Sequence, residues 1–408
     1  MIEIAFWLAV ATIVYAYFGF PALLALRARL CPRRHGEADI TPTVSMVICA
    51  YNEADVIERK LDNLLSLDYP ADRLEVIVAS DGSDDGTDDL VRAYADRGVR
   101  LLPMARIGKI PALNAAVART TGDILVFSDA NSIYADDALR RLVAPFGDPE
   151  VGGVAGDQRY VRAGDGDDQV GADGVAGERV YWDFDRKWKV WQSLAGNVTS
   201  ATGAIYAVRR VLFRDLPTGV TDDFANSTGV ISQGHRLVFA ADAAAYEHAV
   251  GTGDAEFRRK VRVMTRGFRG VWARRDLLDP RRHGFYAVQL FSHKIVRRLV
   301  VLPLLFLLPA AALLWDAGML YRVALLAQLA LYGAAALGAV AAGSRVGKLK
   351  PLAFPYYFCL VNLAALTAAL NVVRGHSIDM WDPPRHGGEA GDGEAAAHAA
   401  AVPGARRA

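Results

Sequence analysis

Four acidic side chains stand in a fixed order along this chain: Glu53 in Ala50-Tyr51-Asn52-Glu53, Asp81 in Ser80-Asp81-Gly82-Ser83, Asp129 in Ser128-Asp129-Ala130-Asn131, and Asp223 in Thr221-Asp222-Asp223-Phe224. The first three follow apolar runs that read as strands, the place where an open parallel sheet presents its binding crevice. A carboxylate there can accept hydrogen bonds from a nucleotide's base or ribose, and Gly82 permits close backbone approach. The bland alternative for Asp81 is a turn with an Asp or Thr helix cap. Asp129 and Asn131 are two oxygen ligands two residues apart, able to share one hard cation whose other sites go to diphosphate oxygens and water. An Asx-turn is the competing reading of that pair. Lys109, in Gly108-Lys109-Ile110-Pro111-Ala112-Leu113-Asn114, offers a compact charge to phosphate or sugar oxygens. The glycine spacing of a nucleotide-triphosphatase loop is missing. In Thr221-Asp222-Asp223 a carboxylate could take the proton of an attacking hydroxyl. The same residues would also suit a helix N-terminus, so Asp222 reads as support or cap.

These stations need a scaffold, and the hydrophobic pattern supplies one. Val44 to Tyr51, Leu74 to Ala79, Val99 to Pro103 and Ile124 to Ser128 read as strands; Ala54 to Leu67, Thr87 to Ala95 and Ile110 to Arg119 read as helices between them. Such alternation predicts an α/β fold with a mainly parallel sheet covered on both faces. Ala163 to Gly177 is Gly- and Asp-rich and reads as a surface loop without EF-hand spacing. Glu178 to Leu194 reads as a helix whose Trp182, Trp188 and Trp191 are core or a sugar platform.

Hydrophobic residues make up 52% of the 408, and they are unevenly spread. Ile2 to Leu26 carries one charge, Glu3, and exceeds the roughly 20 residues needed to cross a bilayer core. It lacks the basic start of a signal peptide, and Arg27, Arg29, Arg33 and Arg34 follow it, which predicts an anchor with a cytoplasmic domain after it. Leu299 to Trp315, Leu320 to Ala342 and Leu352 to Val373 are further apolar runs. Three full crossings there put Arg345, Lys348 and Lys350 inside and Arg374 to Arg385 outside, although both segments carry positive charge; the alternative is that one run is re-entrant or interfacial. Between Phe257 and Trp272 apolar residues recur at helical spacing beside arginines, suited to a headgroup boundary. A formal net charge of +1 gives no reason to invoke nucleic acid, and Cys31, Cys49 and Cys359 show no metal-ligand spacing.

By these motifs the chain resembles membrane-embedded glycosyltransferases of family 2, the group of cellulose, hyaluronan and poly-N-acetylglucosamine synthases. The resemblance implies a GT-A fold (nucleotide-diphospho-sugar transferase, Rossmann-like), inversion at the anomeric carbon, and a nucleotide-sugar donor, expected to be a UDP-sugar. It places Glu53, Asp81, Gly82 and Ser83 on the nucleotide, Lys109 and Asn114 on the donor, and Mg2+ or Mn2+ at Asp129 and Asn131. Asp223 takes the position of the base. Asn131 is an amide where the family has a second acid. Arg259-Lys260-Val261-Arg262-Val263 lies where synthases carry Gln-x-x-Arg-Trp; Arg262 fits the arginine, while Arg259 and Val263 depart from the pattern, which weakens the case for a processive synthase. A purely lipid-facing basic patch is the other reading of that segment. The expected organisation is an anchor at 1–28, a cytoplasmic catalytic domain at 40–250, interfacial helices at 255–298, a transmembrane region at 299–374 and a disordered tail at 387–408. Expected partners are a saccharide or lipid-linked acceptor, the lipid bilayer and polysaccharide-export proteins. Two alternatives are a polyprenyl-phosphate glycosyltransferase, whose anionic acceptor needs no base, and a non-catalytic scaffold or transporter. No acidic or basic residue is expected midway along the C-terminal apolar runs, which disfavours a carrier.

Overall fold

The structure is a computed structural model that describes residues 1–408 except 162–175, 249–252, 343, 345, 348 and 377–408. Most of the Ala163 to Gly177 loop and all of the expected tail therefore lie outside the described residues.

Strands β1 (Val44–Ala50), β2 (Leu74–Asp81), β3 (Val99–Met104) and β4 (Ile124–Ser128) form the parallel half of an eight-stranded sheet. They alternate with the helices Ala54–Leu65, Thr87–Arg92 and Lys109–Val117. β1 is buried along its whole length because helices cover both faces: Val44, Met46, Ile48 and Ala50 join one core cluster while Val47 and Cys49 join the other. Ile57, Leu61 and Leu64 pack the first helix onto the sheet with no exposed surface, each contributing roughly 1.5–3 kcal/mol of burial.

The rest of the sheet departs from the parallel expectation. With β5 (Ile133–Tyr134), β6 (Val151–Val161), β7 (Tyr206–Arg209) and β8 (Arg236–His248), the order is β3-β2-β1-β4-β7-β6-β8-β5. β7 runs antiparallel to β4 and β6, and β5 runs antiparallel to β8. Phe127 pairs with Tyr206 and Ile124 with Arg209, so the chain reaches β7 at the end of β4 where Asp129 stands and then descends. That direction depends on contacts between distant segments, which an apolar run does not encode.

Ile2–Leu30 is a single 29-residue helix with one π-turn at Tyr15–Gly19. Its first half packs Phe6 and Ala9 against Leu307, Ala310 and Tyr321; its second half packs Phe20 and Leu24 against Trp188. Trp188 is thus core, and Trp191 packs against the same cluster. Ile2–Leu30, Met319–Val340 and Lys350–Val373 are long and apolar enough to cross a membrane, and Phe285–Leu299 with Val301–Leu313 forms a fourth candidate bent by 46°. Exposed Leu8, Phe18, Leu305 and Phe354 on these helices form the kind of outward apolar surface that water does not support. The Gly253–Ala273 helix lies along Lys350–Val373, and its Val261 and Val271 are buried in protein.

Candidate active site

Three of the four strand ends in the parallel half, those of β1, β2 and β4, deliver one acidic station each, and hydrogen bonds lock the loops around them. After β1, Asn52 takes a left-handed conformation at φ 53° and exchanges two hydrogen bonds with Asp84, at 2.7 and 3.0 Å. Ser83 Oγ accepts from the Asn52 N–H at 3.1 Å, which joins the first two loops. Glu53 donates its N–H to Thr87. Burial, and then the charges of Asp129 and Asp85, push its carboxyl up to about 7.

Asp81 is 1% exposed. Its carboxylate accepts from the N–H groups of Ile107 at 2.7 Å and Gly108 at 2.9 Å, and from Arg106 Nη1 at 3.2 Å. The Arg106 guanidinium also lies over the Tyr51 ring. Asp81 therefore shapes the segment leading into Lys109. Gly82, at φ +76°, has no room for a side chain, because a Cβ would lie 2.8 Å from the Arg106 nitrogen.

Lys109 is the junction. Its ammonium donates to Asp129 Oδ1 at 2.9 Å and lies 3.2 Å from Asp222 Oδ2. Burial opposes its charge, yet those two carboxylates hold it well above the usual lysine range. Asp129 and the Thr221-Asp222-Asp223 segment, about 90 residues apart in sequence, thereby meet in one place. Asp129 donates its N–H to the Gly203 carbonyl at 3.1 Å. A Cβ at Gly203 would stand 2.7 Å from Asp129 Oδ2, so a side chain there would displace that carboxylate. The Asn131 side chain is half-buried beside it and makes no hydrogen bond among the described residues.

Asp222 and Asp223 open the helix Asp222–Ser232. Thr221 stands at the N-cap position, but its hydroxyl makes no capping bond. Burial first, and Asp222 second, push the Asp223 carboxyl up to about 6, against the pull of the Phe224 N–H, Lys294 and Lys109. A half-buried carboxyl poised there suits proton acceptance.

Other expected residues are engaged differently. Asn114 closes its amide on the backbone of Leu216, donating to the carbonyl and accepting from the N–H at 3.1 Å each. One amide hydrogen and one oxygen lone pair remain beyond those two bonds. Arg259 donates from Nε and Nη2 to Glu256 on its own helix, at 2.8 and 3.0 Å, and lies near Tyr160. Arg262 is half-buried on that helix.

Sequence reasoning missed Arg106, Gly203, Lys294 and a buried pair, Lys60 and Glu247. Lys60 had a signal, since it falls inside the apolar stripe of Ile57, Leu61 and Leu64. Glu247 shared one too, lying in register with Ala243 and Ala245 on the inward side of β8.

Residues 45–216 match the family model described as Glycosyl transferase family 2. The chain carries a glycosyl transferase family 2 domain. That domain includes Glu53, Asp81, Lys109 and Asp129 and ends just before Asp222. Among curated relatives, the beta-monoglucosyldiacylglycerol synthase of Synechocystis sp. is 35% identical over 167 residues, covering 38% of this chain and 35% of that protein. The poly-beta-1,6-N-acetyl-D-glucosamine synthase of Staphylococcus aureus is 31% identical over 119 residues, 28% of each chain. The chain thus spans about a third of the length of the curated relatives it matches. A solved mannosyltransferase from Pyrobaculum calidifontis, in complex with GDP-Man and Mn2+, aligns at 27% identity with a TM-score of 0.66, over 91% of this chain and 99% of that one. The GT-A fold expected from the sequence is the fold observed.

Proposed function

We propose that the chain is an inverting, metal-dependent glycosyltransferase that moves a sugar from a nucleotide-diphospho-sugar to a hydroxyl of a saccharide or lipid-linked acceptor at a membrane surface. The observation that carries this reading is Lys109, whose ammonium ties Asp129 on the donor side to Asp222 on the acceptor side. Glu53, Asp81, Gly82 and Ser83 form the nucleotide end of the site. Asn114 supports the segment ahead of Asp222 through Leu216; Arg262 is assigned to the leaving diphosphate by its motif position, while Arg259 is anchored on Glu256. Asp223 accepts the hydroxyl proton as the acceptor oxygen bonds the anomeric carbon and the bond to the diphosphate breaks.

The residues at Asp129 fit a divalent cation of the Mg2+ or Mn2+ type. They offer hard oxygen donors, and the Asn131 side chain has no other hydrogen-bond partner among the described residues. No cluster of three acidic, histidine or cysteine ligands is present among the described residues, so the cation would be completed by diphosphate oxygens and water. Bound there, it would neutralise charge growing on the leaving group. Mn2+ accompanies GDP-Man in the Pyrobaculum calidifontis enzyme, which supports the assignment.

The test is a donor panel on the detergent-purified full chain with Mn2+ or Mg2+. UDP-sugars enter because the family resemblance implies uridine, and GDP-mannose because the solved neighbour binds it. Released nucleoside diphosphate and product anomeric configuration are measured. Failure to bind or turn over any nucleotide sugar would overturn the proposal, and a retained anomer would overturn inversion.

A further inference from the structure

The helix Ala54–Leu65 turns two polar residues toward the sheet, and both grip the same stretch of chain. Lys60 Nζ donates to Ser128 Oγ at 2.8 Å and to the Ser132 carbonyl, and it stands 4.1 Å from the centroid of the Tyr134 ring. Asn63 clasps Tyr134 from both sides: Nδ2 donates to the Tyr134 carbonyl at 2.9 Å, and the Tyr134 N–H donates to Asn63 Oδ1 at 2.8 Å. The three residues between Ser128 and Ser132 are Asp129, Ala130 and Asn131.

An anion completes the clamp from the opposite side. Ser132 Oγ donates to Glu247 Oε1, and Glu247 Oε2 accepts from Gln158 Nε2 at 2.6 Å. Lys60 and Ser132 have no exposed surface, and Glu247 has 7%. Desolvating an ammonium and a carboxylate is costly, and such pairs seldom add stability over an apolar pair of the same volume. What they fix is geometry. Here the charges meet through Ser132, whose carbonyl receives the cation and whose hydroxyl serves the anion, one residue beyond Asn131.

We propose that Lys60 and Glu247 form a buried positioning pair that holds the Asp129-Ala130-Asn131 segment in the orientation needed for a divalent cation. The pair acts through Ser128 and Ser132 and touches neither donor nor acceptor. This inference rests on the transferase reading only for the identity of the cation.

The experiment uses the full chain in detergent, without donor sugar, and reads two quantities. Hydrogen exchange reports the 129–134 backbone, and electron paramagnetic resonance of free Mn2+ gives the metal dissociation constant. Lys60→Met keeps the volume and removes charge and donors. Exchange in 129–134 should quicken by about tenfold or more while the rest of the sheet is unchanged, and the Mn2+ constant should rise by about 10- to 100-fold, the usual scale for residues that orient metal ligands. Lys60→Met with Glu247→Gln should recover overall stability and leave Mn2+ binding weak, which a merely structural pair would not do. Wild-type exchange in 129–134 of Lys60→Met overturns the inference. Should Lys60→Met not fold, Ser132→Ala removes only the link to Glu247, and the same exchange readout decides. Absence of Mn2+ binding by wild type would instead remove the cation from the transferase reading, and exchange would still judge the clamp.

Discussion

The sharpest test of the acceptor side is the titration of Asp223. Its carboxyl is raised from an ordinary 3.8 to about 6, by burial first and by the Asp222 charge second. If the ionised form is the base, transfer should fall tenfold per pH unit below about 6, reaching about a tenth of its plateau one unit down. The neighbours predict opposite displacements. Asp222→Asn removes a repelling charge and should lower the inflection; Lys109→Met removes a cation that favours ionisation and should raise it. Asp223→Asn should cut transfer by about two orders of magnitude or more while donor affinity persists.

The same group carries a stability signature of defined sign. A carboxyl raised in the fold binds its proton more tightly when folded, so its stabilisation is complete below the unfolded pKa near 4 and is lost as pH rises through about 6. Ionising it in place then costs on the order of 3 kcal/mol. Asp223→Asn should therefore raise the denaturation temperature at pH 8 and leave it unchanged at pH 4. The assay is kcat/KM for acceptor against pH, which reports groups of the free enzyme. Glu53, pushed up to about 7, also titrates in that window, so Glu53→Gln is run in parallel and must retain the lower inflection. Near-normal transfer by Asp223→Asn together with severe loss in Asp222→Asn would move the base to the neighbouring carboxylate.

Three further outcomes are expected. Asp129→Ala should lose metal-supported turnover and Asn131→Asp should retain or strengthen it; full activity of Asp129→Ala in chelator refutes the cation assignment. Gly203→Ala, whose Cβ would crowd Asp129 Oδ2 at 2.7 Å, should weaken Mn2+ use by roughly tenfold or more with little change in folding, as measured by metal titration and circular dichroism. Trp188→Ala should destabilise the chain by roughly 3–5 kcal/mol through loss of the contact with Phe20 and Leu24, and an unchanged denaturation midpoint would deny that contact its weight.

What was legible in the sequence was local. Strand ends at Ala50, Asp81 and Ser128 announce themselves because an apolar run stops at a polar turn, and the acids sit on those turns. The reversal of β7 was not legible, because its partner β4 lies about 80 residues earlier and either direction satisfies the same apolar pattern. Asn114 was read from motif position alone, and its bonds to Leu216 depend on a loop 102 residues away. Glu247 and Ser132 are separated by 115 residues, so only tertiary structure joins them. Lys60 differs from these. Its place in an apolar stripe was visible, and the habit of treating lysine as a solvated residue concealed it.

The continuity of Ile2–Leu30 has a consequence for how substrates are met. At about 1.5 Å per residue the helix is roughly 43 Å long, against a hydrocarbon core of about 30 Å. If it spans a bilayer, its last few turns stand clear as a stiff stalk clamped to Trp188 and Ala195 of the catalytic domain. The crevice would then ride at a set altitude and bearing over the lipid, since one inserted residue would swivel the domain by about 100°. Selection among acceptors becomes partly a matter of height: a hydroxyl held at the level of the crevice is reached without search, and one carried higher or lower is passed over.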